Sequence, residues 1–396
     1  MTATTLFDVE AAKATATRAI EAADARLREL SLDIHSHPEL GFEEHHAHGA
    51  LTTFLEGEGF EVERGACEMP TAFRAVTGSG DPAIAVFCEY DALPEIGHAC
   101  GHNLIAASGV AVGIALEAAL PAGRGTVIVL GSPAEEGGGG KILLLNRGAL
   151  EGVDAAMMLH PAPGDSAWAN LIAIEQLHVR YHGRNAHAGA APWAGVNALD
   201  AVVLAYTSIS AMRQQMRPTD RVHGIITEGG VKPNIVPDTA AAEYYIRARN
   251  MAELTELRAK VVGCFEGAAM AAGCTVDIAT AGDPYAEVIT NTAMADAYCD
   301  NMAHFELVLP KGGHGGIAGA STDMGNISYA VPSIHPSFGI PTEAVNHTAG
   351  FTASAATPEA HRRMLRAAKA LALTALDLYA DPILLEAAKA EFAAQT

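Results

Sequence analysis

Basic side chains are scarce in this 396-residue chain: 25 Lys and Arg stand against 46 Asp and Glu, a formal net charge of −21. Such a balance repels phosphate backbones and anionic lipid, so neither nucleic acid nor a membrane is expected as a partner. Long apolar runs are missing as well. No stretch reaches the roughly 18 uninterrupted apolar residues of a spanning helix, and Met1 to Ile20 lacks the basic start and apolar block of a secretory signal. A soluble cytoplasmic protein is the expectation. The six cysteines (Cys67, Cys88, Cys100, Cys264, Cys274, Cys299) show no framework spacing, which argues against a disulfide scaffold. No Gly-x-Ser-x-Gly elbow occurs, so a serine nucleophile of that type is excluded. The glycine run that ends in Lys141 fails as a phosphate loop, because Glu135 and Ile142 occupy the positions that need Gly and Ser or Thr.

What is present is ample apolar content, 49%, in a chain too long for one comfortable core, so two domains are expected. Helical spacing runs from about Ala11 to Glu29 and from Glu43 to Glu58. Strand and helix patterns then alternate: Ala83 to Glu89, Leu104 to Leu120, Gly125 to Leu130, Lys141 to Arg147, Ala155 to Leu159. That alternation predicts an α/β fold with a mostly parallel sheet covered on both faces. From Ile174 to Thr280 the order becomes β-α-β-β-α-β, a ferredoxin-like insertion. The expected division is 1–172 and 285–396 as the catalytic domain, with 173–284 as a lid and dimerisation domain. After Tyr285, α/β patterning is read through Phe305 to Leu309, Ile327 to Val331 and a helix from Pro358 to Leu378, with Gly312 to Gly319 as a loop.

Three polar clusters fall just past strand ends, where open α/β sheets gather ligands. Cys100 and His102, in Gly97-His98-Ala99-Cys100-Gly101-His102-Asn103, have metal-ligand spacing and flanks too small to block an ion. Glu135 and Glu136 follow the strand from Gly125, and His160 follows the strand from Ala155. Of two adjacent carboxylates, one can hold a metal while the other takes a proton from the attacking water.

Taken with His35-Ser36-His37-Pro38-Glu39-Leu40-Gly41-Phe42, Asp91-Ala92-Leu93-Pro94, Asn185-Ala186-His187-Ala188, Pro233-Asn234, Ser321-Thr322-Asp323-Met324-Gly325-Asn326 and Asn346-His347-Thr348, these segments give the chain its likeness. It resembles the metal-dependent aminoacylase and carboxypeptidase superfamily, in the amidohydrolase branch of aminobenzoyl-glutamate, hippurate and indole-acetyl-amino-acid hydrolases and β-alanyl-lysine-type dipeptidases. The resemblance implies two divalent ions, Zn or Mn with Co or Ni as alternatives, about 3.5 to 4 Å apart. It implies Cys100 as their bridge, where most of the superfamily has Asp. His102 and His160 would hold one ion, and Glu136 and His347 the other. His335, in Ser333-Ile334-His335-Pro336, is the rival last ligand and otherwise a substrate contact. Glu135 matches the general base that also protonates the leaving amine. His187 matches an oxyanion donor that reaches a partner subunit, which implies a homodimer, and Asn234 matches an amide that positions the substrate. Arg247 is a further candidate for pairing with the substrate carboxylate, the alternative being a surface strand residue. Asn103 departs from the Asp of many relatives.

The implied activity is cleavage of the amide bond of a small N-acyl amino acid or dipeptide; the alternative is a metal-binding regulatory dimer without turnover, in which Glu135 would have no use. His35, His37, His45, His46 and His48 form another apparent cluster, for which packing and solvent exposure are expected.

Overall fold

The computed structural model describes residues 7–313 and 319–395, so five residues of the Gly312 to Gly319 segment lie outside the described residues. The described residues fall into two compact units, one within Met1–Ala169, Val288–Gly315 and Asp323–Thr396, the other within Asn170–Glu287 and Gly316–Thr322.

The first unit opens with α1 (Val9–Ser36), capped by the Asp8 carboxylate, and α2 (His45–Gly57). There follow β1 (Glu61–Arg64), β2 (Phe73–Ser79), β3 (Ala83–Glu89), α3 (His102–Ala119), β4 (Gly125–Ser132), α4 (Gly140–Asn146), β5 (Ala155–Met157) and β6 (His160–Ala162). In β3 and β4 alternate residues serve two different cores. Ile84, Val86, Cys88, Val127 and Val129 join the cluster of α1 and α3. Ala85, Phe87, Ile128 and Leu130 face Leu144, Ile327 and Val331 on the other side. Burial on both faces is why these strands read as unbroken apolar runs rather than alternations. Each large aliphatic or aromatic side chain so buried contributes about 1.5–3 kcal/mol.

Helix α3 is apolar and long enough to cross a membrane by composition, yet every residue from His102 to Leu116 is buried inside the unit. It lies very close to β3 because Gly109 offers no Cβ, which would stand 2.4 Å from Cys88 Sγ and 2.8 Å from the Phe87 carbonyl.

The second unit contains β7 (Ala173–His182), α5 (Ala198–Met212), β8 (Arg221–Glu228), β9 (Thr239–Ala248), α6 (Met251–Ala272) and β10 (Thr275–Thr280). Its four strands are antiparallel in the order β10-β7-β9-β8. One face of the sheet packs on α5 and α6 through Leu177, Val179, Tyr181, Val202, Val261 and Phe265.

The first unit is completed by α7 (Thr292–Ala303), α8 (Met324–Ser328), β11 (Ser333–Ile334), β12 (Ser337–Gly339), α9 (Ala349–Ala355), α10 (Pro358–Ala380) and α11 (Pro382–Gln395). Two apolar runs read as continued α/β patterning are not strands. Residues 305–309 form a turn and irregular chain, and 327–331 end α8, burying Ile327 and Val331 from helix and turn instead. The parallel core β4-β3-β5-β11 also carries an antiparallel margin, β2 beside β4 and β1 outermost, giving the six-stranded order β1-β2-β4-β3-β5-β11. That margin left little trace in the sequence because β1 is mostly exposed.

Candidate metal centre

The parallel neighbours β4, β3 and β5 end on the same edge of the sheet, and each hands the chain to a polar segment there. Past β3, Gly101 adopts φ 76° and a Cβ on it would stand 2.6 Å from Pro161, so glycine is required between Cys100 and His102. Past β4, Ala134 is left-handed at φ 56° and turns Glu135 and Glu136 inward. The glycine run folds straight back on this turn: a Cβ at Gly140 would fall 1.7 Å from the Pro133 carbonyl oxygen. Close approach at Gly138 and Gly140 and positive φ at Gly137 and Gly139, not a phosphate, explain those glycines.

The side chains converge. Ligating atoms of Cys100, His102 and His160 lie within 4.8 Å of one another, as do those of Cys100, Glu136 and His347, and those of His102, Glu135 and Glu136. Cys100 thus joins the first two of these three groups, the two that would each hold an ion. Its Sγ is 3.5 Å from His160 Nε2 and from Asn346 Nδ2, while His347 Nε2 is 3.4 Å from Glu136 Oε2. His347 is held at φ 65° with its N–H on the Ala99 carbonyl. His335 enters none of these groups. Its ring stands edge-on to His160, 5.6 Å between centroids, with Nδ1 3.2 Å from the Met158 carbonyl.

The tautomers suit ligation. His102 Nδ1 donates to the Asp91 carbonyl and carboxylate, at 2.9 and 3.0 Å, and His160 Nδ1 donates to the Pro161 carbonyl at 2.7 Å, leaving both Nε2 lone pairs turned to the site. Asp91 also accepts from the Glu136 N–H at 2.9 Å, so one carboxylate orients a ligand of each group. Three buried atoms, Glu89 Oε1, His102 Nε2 and Glu136 Oε1, have no hydrogen-bond partner among the described residues. Unsatisfied acceptors at such depth cost free energy unless a cation meets them.

Electrostatics fit ligation in part: burial disfavours a charged His102, but Glu89 and Asp91 together outweigh it and hold the imidazole well above its usual range, so an ion there displaces a proton. Burial, and then the charges of Glu89, Glu136 and Asp323, hold the Glu135 carboxyl well above the usual range; His102 opposes them. Burial likewise raises Glu136, against His102 and His347. The Cys100 thiol is pushed up to about 12 by burial, with His102 opposing, so thiolate at neutral pH requires a cation beside it. Burial and the neighbouring His335 lower His160 to about 3, keeping it neutral and able to ligate. Thiol, imidazole and carboxylate in this arrangement fit a pair of borderline divalent ions.

Sequence reasoning missed what lies beneath. Lys141, the residue that made the glycine run look like a phosphate loop, is wholly buried, its Nζ 2.5 Å from Glu89 Oε2 and 2.7 Å from Asp323 Oδ1. Asp323 Oδ2 also accepts the Lys141 backbone N–H at 2.9 Å. Burial disfavours the ammonium, but Asp323 and Glu89 outweigh it and push its pKa upward. Ligand-type oxygens of Glu89, Glu135 and Asp323 lie within 4.8 Å of one another, so the lysine ties two of the three carboxylates in place beside the third. A charged residue opening an otherwise apolar helix, Lys141-Ile142-Leu143-Leu144-Leu145, was the available signal.

The remaining candidates belong to the second unit. His187 is exposed, and its Nδ1 accepts from the N–H groups of Gly189 and Ala190, at 3.2 and 3.1 Å, which puts the ring proton on Nε2. The Asn234 carbonyl accepts from Ala188 N–H at 3.0 Å, so these two exposed residues lie on adjoining segments. Arg247 Nη1 is engaged by the Gly319 carbonyl and Ser321 hydroxyl, at 2.9 and 3.1 Å.

Comparison with known proteins agrees with this architecture. Residues 174–271 match the peptidase dimerisation domain. The chain is 47% identical to the Xaa-Arg dipeptidase of Mus musculus, over 97% of this chain and 93% of that one. It is 31% identical to one of the subunits of the Escherichia coli p-aminobenzoyl-glutamate hydrolase, over 94% and 93%. Its fold resembles a solved Bacillus subtilis protein, described as a dinuclear metal binding peptidase from the M20 family, with TM-score 0.70 and 21% identity over 90% of this chain and 99% of that one.

Proposed function

Because the chain belongs to the M20 peptidase family and is an amide-bond hydrolase of it, we propose that it is a two-metal dipeptidase that releases the C-terminal residue of a small dipeptide. The observation that carries this reading is Glu135, an acidic group placed beside two ligand sets that share Cys100. Two ions held by Cys100 with His102 and His160, and by Cys100 with Glu136 and His347, would supply Lewis-acid polarisation of the scissile carbonyl and of the attacking water.

The chain's own residues do the rest. Glu135 takes the proton of the attacking water and returns it to the departing amine. Asp91 keeps His102 and Glu136 in register. His187, with Nε2–H free to donate, stabilises the developing oxyanion, a role worth about 2.7–4 kcal/mol. Asn234 lies on the adjoining segment to position substrate.

Substrate choice follows from charge. A net charge of −21 speeds encounter with cations relative to anions, and the greater identity to the Xaa-Arg dipeptidase, 47% against 31% for the aminobenzoyl-glutamate hydrolase subunit, favours a dipeptide with a cationic C-terminal residue. Metal-reconstituted protein is expected to cleave Xaa-Arg and Xaa-Lys dipeptides with higher kcat/KM than aminobenzoyl-glutamate, β-alanyl dipeptides with neutral ends or indole-acetyl-aspartate. No cleavage of any of these after Zn²⁺ or Mn²⁺ loading would overturn the enzyme assignment for this site.

A homodimer completes the reading. Val203, Leu204 and Tyr206 of α5 and Ile225 and Ile226 of the edge strand β8 are exposed apolar residues on the unit that matches a dimerisation domain. If His187 serves the neighbouring subunit, mixing inactive Glu135→Gln with inactive His187→Ala protein and allowing exchange restores up to one intact site per mixed dimer. No recovery in verified mixed dimers would rule out catalysis across subunits.

A further inference from the structure

We propose that Asp33, His37 and His46 form a second metal site, a surface clip for one zinc-class divalent ion that ties the end of α1 to the start of α2. None of the three belongs to the centre described above. The ligating atoms of the trio lie within 4.8 Å of one another. Asp33 Oδ2 accepts from His46 Nε2 at 2.8 Å, Asp33 Oδ1 is 3.4 Å from His37 Nδ1, and the two imidazoles are 4.2 Å apart between centroids. An ion with bonds of about 2.0–2.2 Å draws its ligands to similar mutual separations, so only small side-chain rotations are needed.

The backbone prearranges the set. Asp33 lies in the last turn of α1 and His37 is its C-cap, whose N–H bonds back to the Ile34 carbonyl, so the end of the helix sets the two side chains beside each other. His46 comes from the first turn of α2, and Glu39 fixes that turn by accepting the N–H groups of His46 at 2.8 Å and Ala47 at 3.0 Å. His37 Nδ1 donates to the Asp33 carbonyl at 2.8 Å, a bond that ligation through Nδ1 gives up as the ring proton moves to Nε2. Two imidazoles and one carboxylate suit Zn²⁺, Co²⁺, Ni²⁺ or Cu²⁺ better than Mg²⁺ or Ca²⁺. All three side chains are 40% exposed or more, leaving room for an ion to enter and for water to complete its coordination. On binding, the ion takes the place of the proton between His46 Nε2 and Asp33, and the ring proton moves to Nδ1.

The clip has something to brace. Between its two helices the chain from Pro38 to Glu44 leans on the turn that carries Glu135 and Glu136 and on the segment that carries Asp91. Glu44 Oε1 accepts the Ala134 N–H at 2.8 Å, the Glu39 carbonyl accepts the Ala92 N–H at 2.8 Å, and a Cβ at Gly41 would stand 2.8 Å from Ala134 Cβ. An ion at Asp33, His37 and His46 closes this loop at its base.

The test is metal content at fixed free Zn²⁺ after equilibrium dialysis. Wild type is expected to hold one more ion per chain than His37→Ala/His46→Ala, and Zn²⁺ is expected to raise the thermal midpoint of wild type more than that of the double variant. Asp33→Asn serves as a second, milder disruption. Because the substituted positions are exposed, the variants are expected to fold, and circular dichroism checks that they do. The readout is a difference of one ion, so it does not depend on how many ions the catalytic centre holds; in Cys100→Ala the clip ion remains and His37→Ala/His46→Ala still removes it. Equal ion counts in wild type and the double variant, in both backgrounds, would overturn the proposal.

Discussion

Glu135→Gln is expected to lower kcat about 10²–10⁴-fold while leaving the bound-metal count unchanged. The substitution keeps the shape of the side chain and removes only its ability to carry a proton. Glu135 sits on a turn fixed by the left-handed Ala134 and by the glycines packed behind it, so glutamine occupies the same place. On the proposed reading ligation falls to other residues: Glu136 lies with His347 and Cys100 in one group of ligating atoms, whereas Glu135 groups with His102 and Glu136. Cys100→Ala supplies the contrast, because Cys100 belongs to the two groups that would each hold an ion and its loss is expected to release both ions together. Metal analysis beside steady-state kinetics distinguishes the two cases. Should Glu135→Gln lose its metals in step with its activity, Glu135 is a ligand rather than the base.

Lys141→Met is expected to destabilise the protein by about 3–5 kcal/mol, the cost of leaving buried carboxylates without their counter-charge. Lys141, Glu89 and Asp323 are all fully inaccessible, so no water replaces the lost ammonium. Burial opposes the charge on Glu89, yet Lys141, His102 and His160 together outweigh it and hold the carboxyl down at about 2. Without the lysine, Glu89 and Asp323 repel each other directly behind Glu135. Denaturant unfolding of the metal-free protein measures the loss, and Lys141→Met/Glu89→Gln/Asp323→Asn, which removes all three charges at nearly constant shape, is expected to regain most of it. An unchanged denaturation midpoint in Lys141→Met would mean that the triad is not ionised.

Parts of this fold are legible in the chain because they repeat locally. The strand from Ala83 to Glu89 is apolar at every position but its last, and the strand from Gly125 nearly so, since the two faces of the sheet meet two cores. The β-α-β-β-α-β order of the second unit shows through the alternation in β7, whose inner residues Leu177, Val179 and Tyr181 are buried. The antiparallel margin is far less legible, because an exposed edge strand such as β1 has no face to bury and hence no period to read. Residues 305–309 and 327–331 mislead for the opposite reason: a turn or a helix end against the core requires apolar residues as firmly as a strand does.

At the site, the sequence by itself determined the chemical types: a thiol and an imidazole two residues apart past a strand, paired glutamates before a glycine run, a further histidine at a third strand end. Such groups are legible because their neighbours along the chain set them there. Only the tertiary structure decided which of them meet. Lys141 reaches Glu89 across 52 positions and Asp323 across 182, His347 arrives opposite Glu136 through a left-handed turn, and His46 closes on Asp33 across 13. The reason is physical. Side-chain chemistry and local periodicity are properties of neighbouring residues, whereas separation in space is set by how whole strands and helices pack, and a shift of an ångström or two there turns a ligand into a bystander.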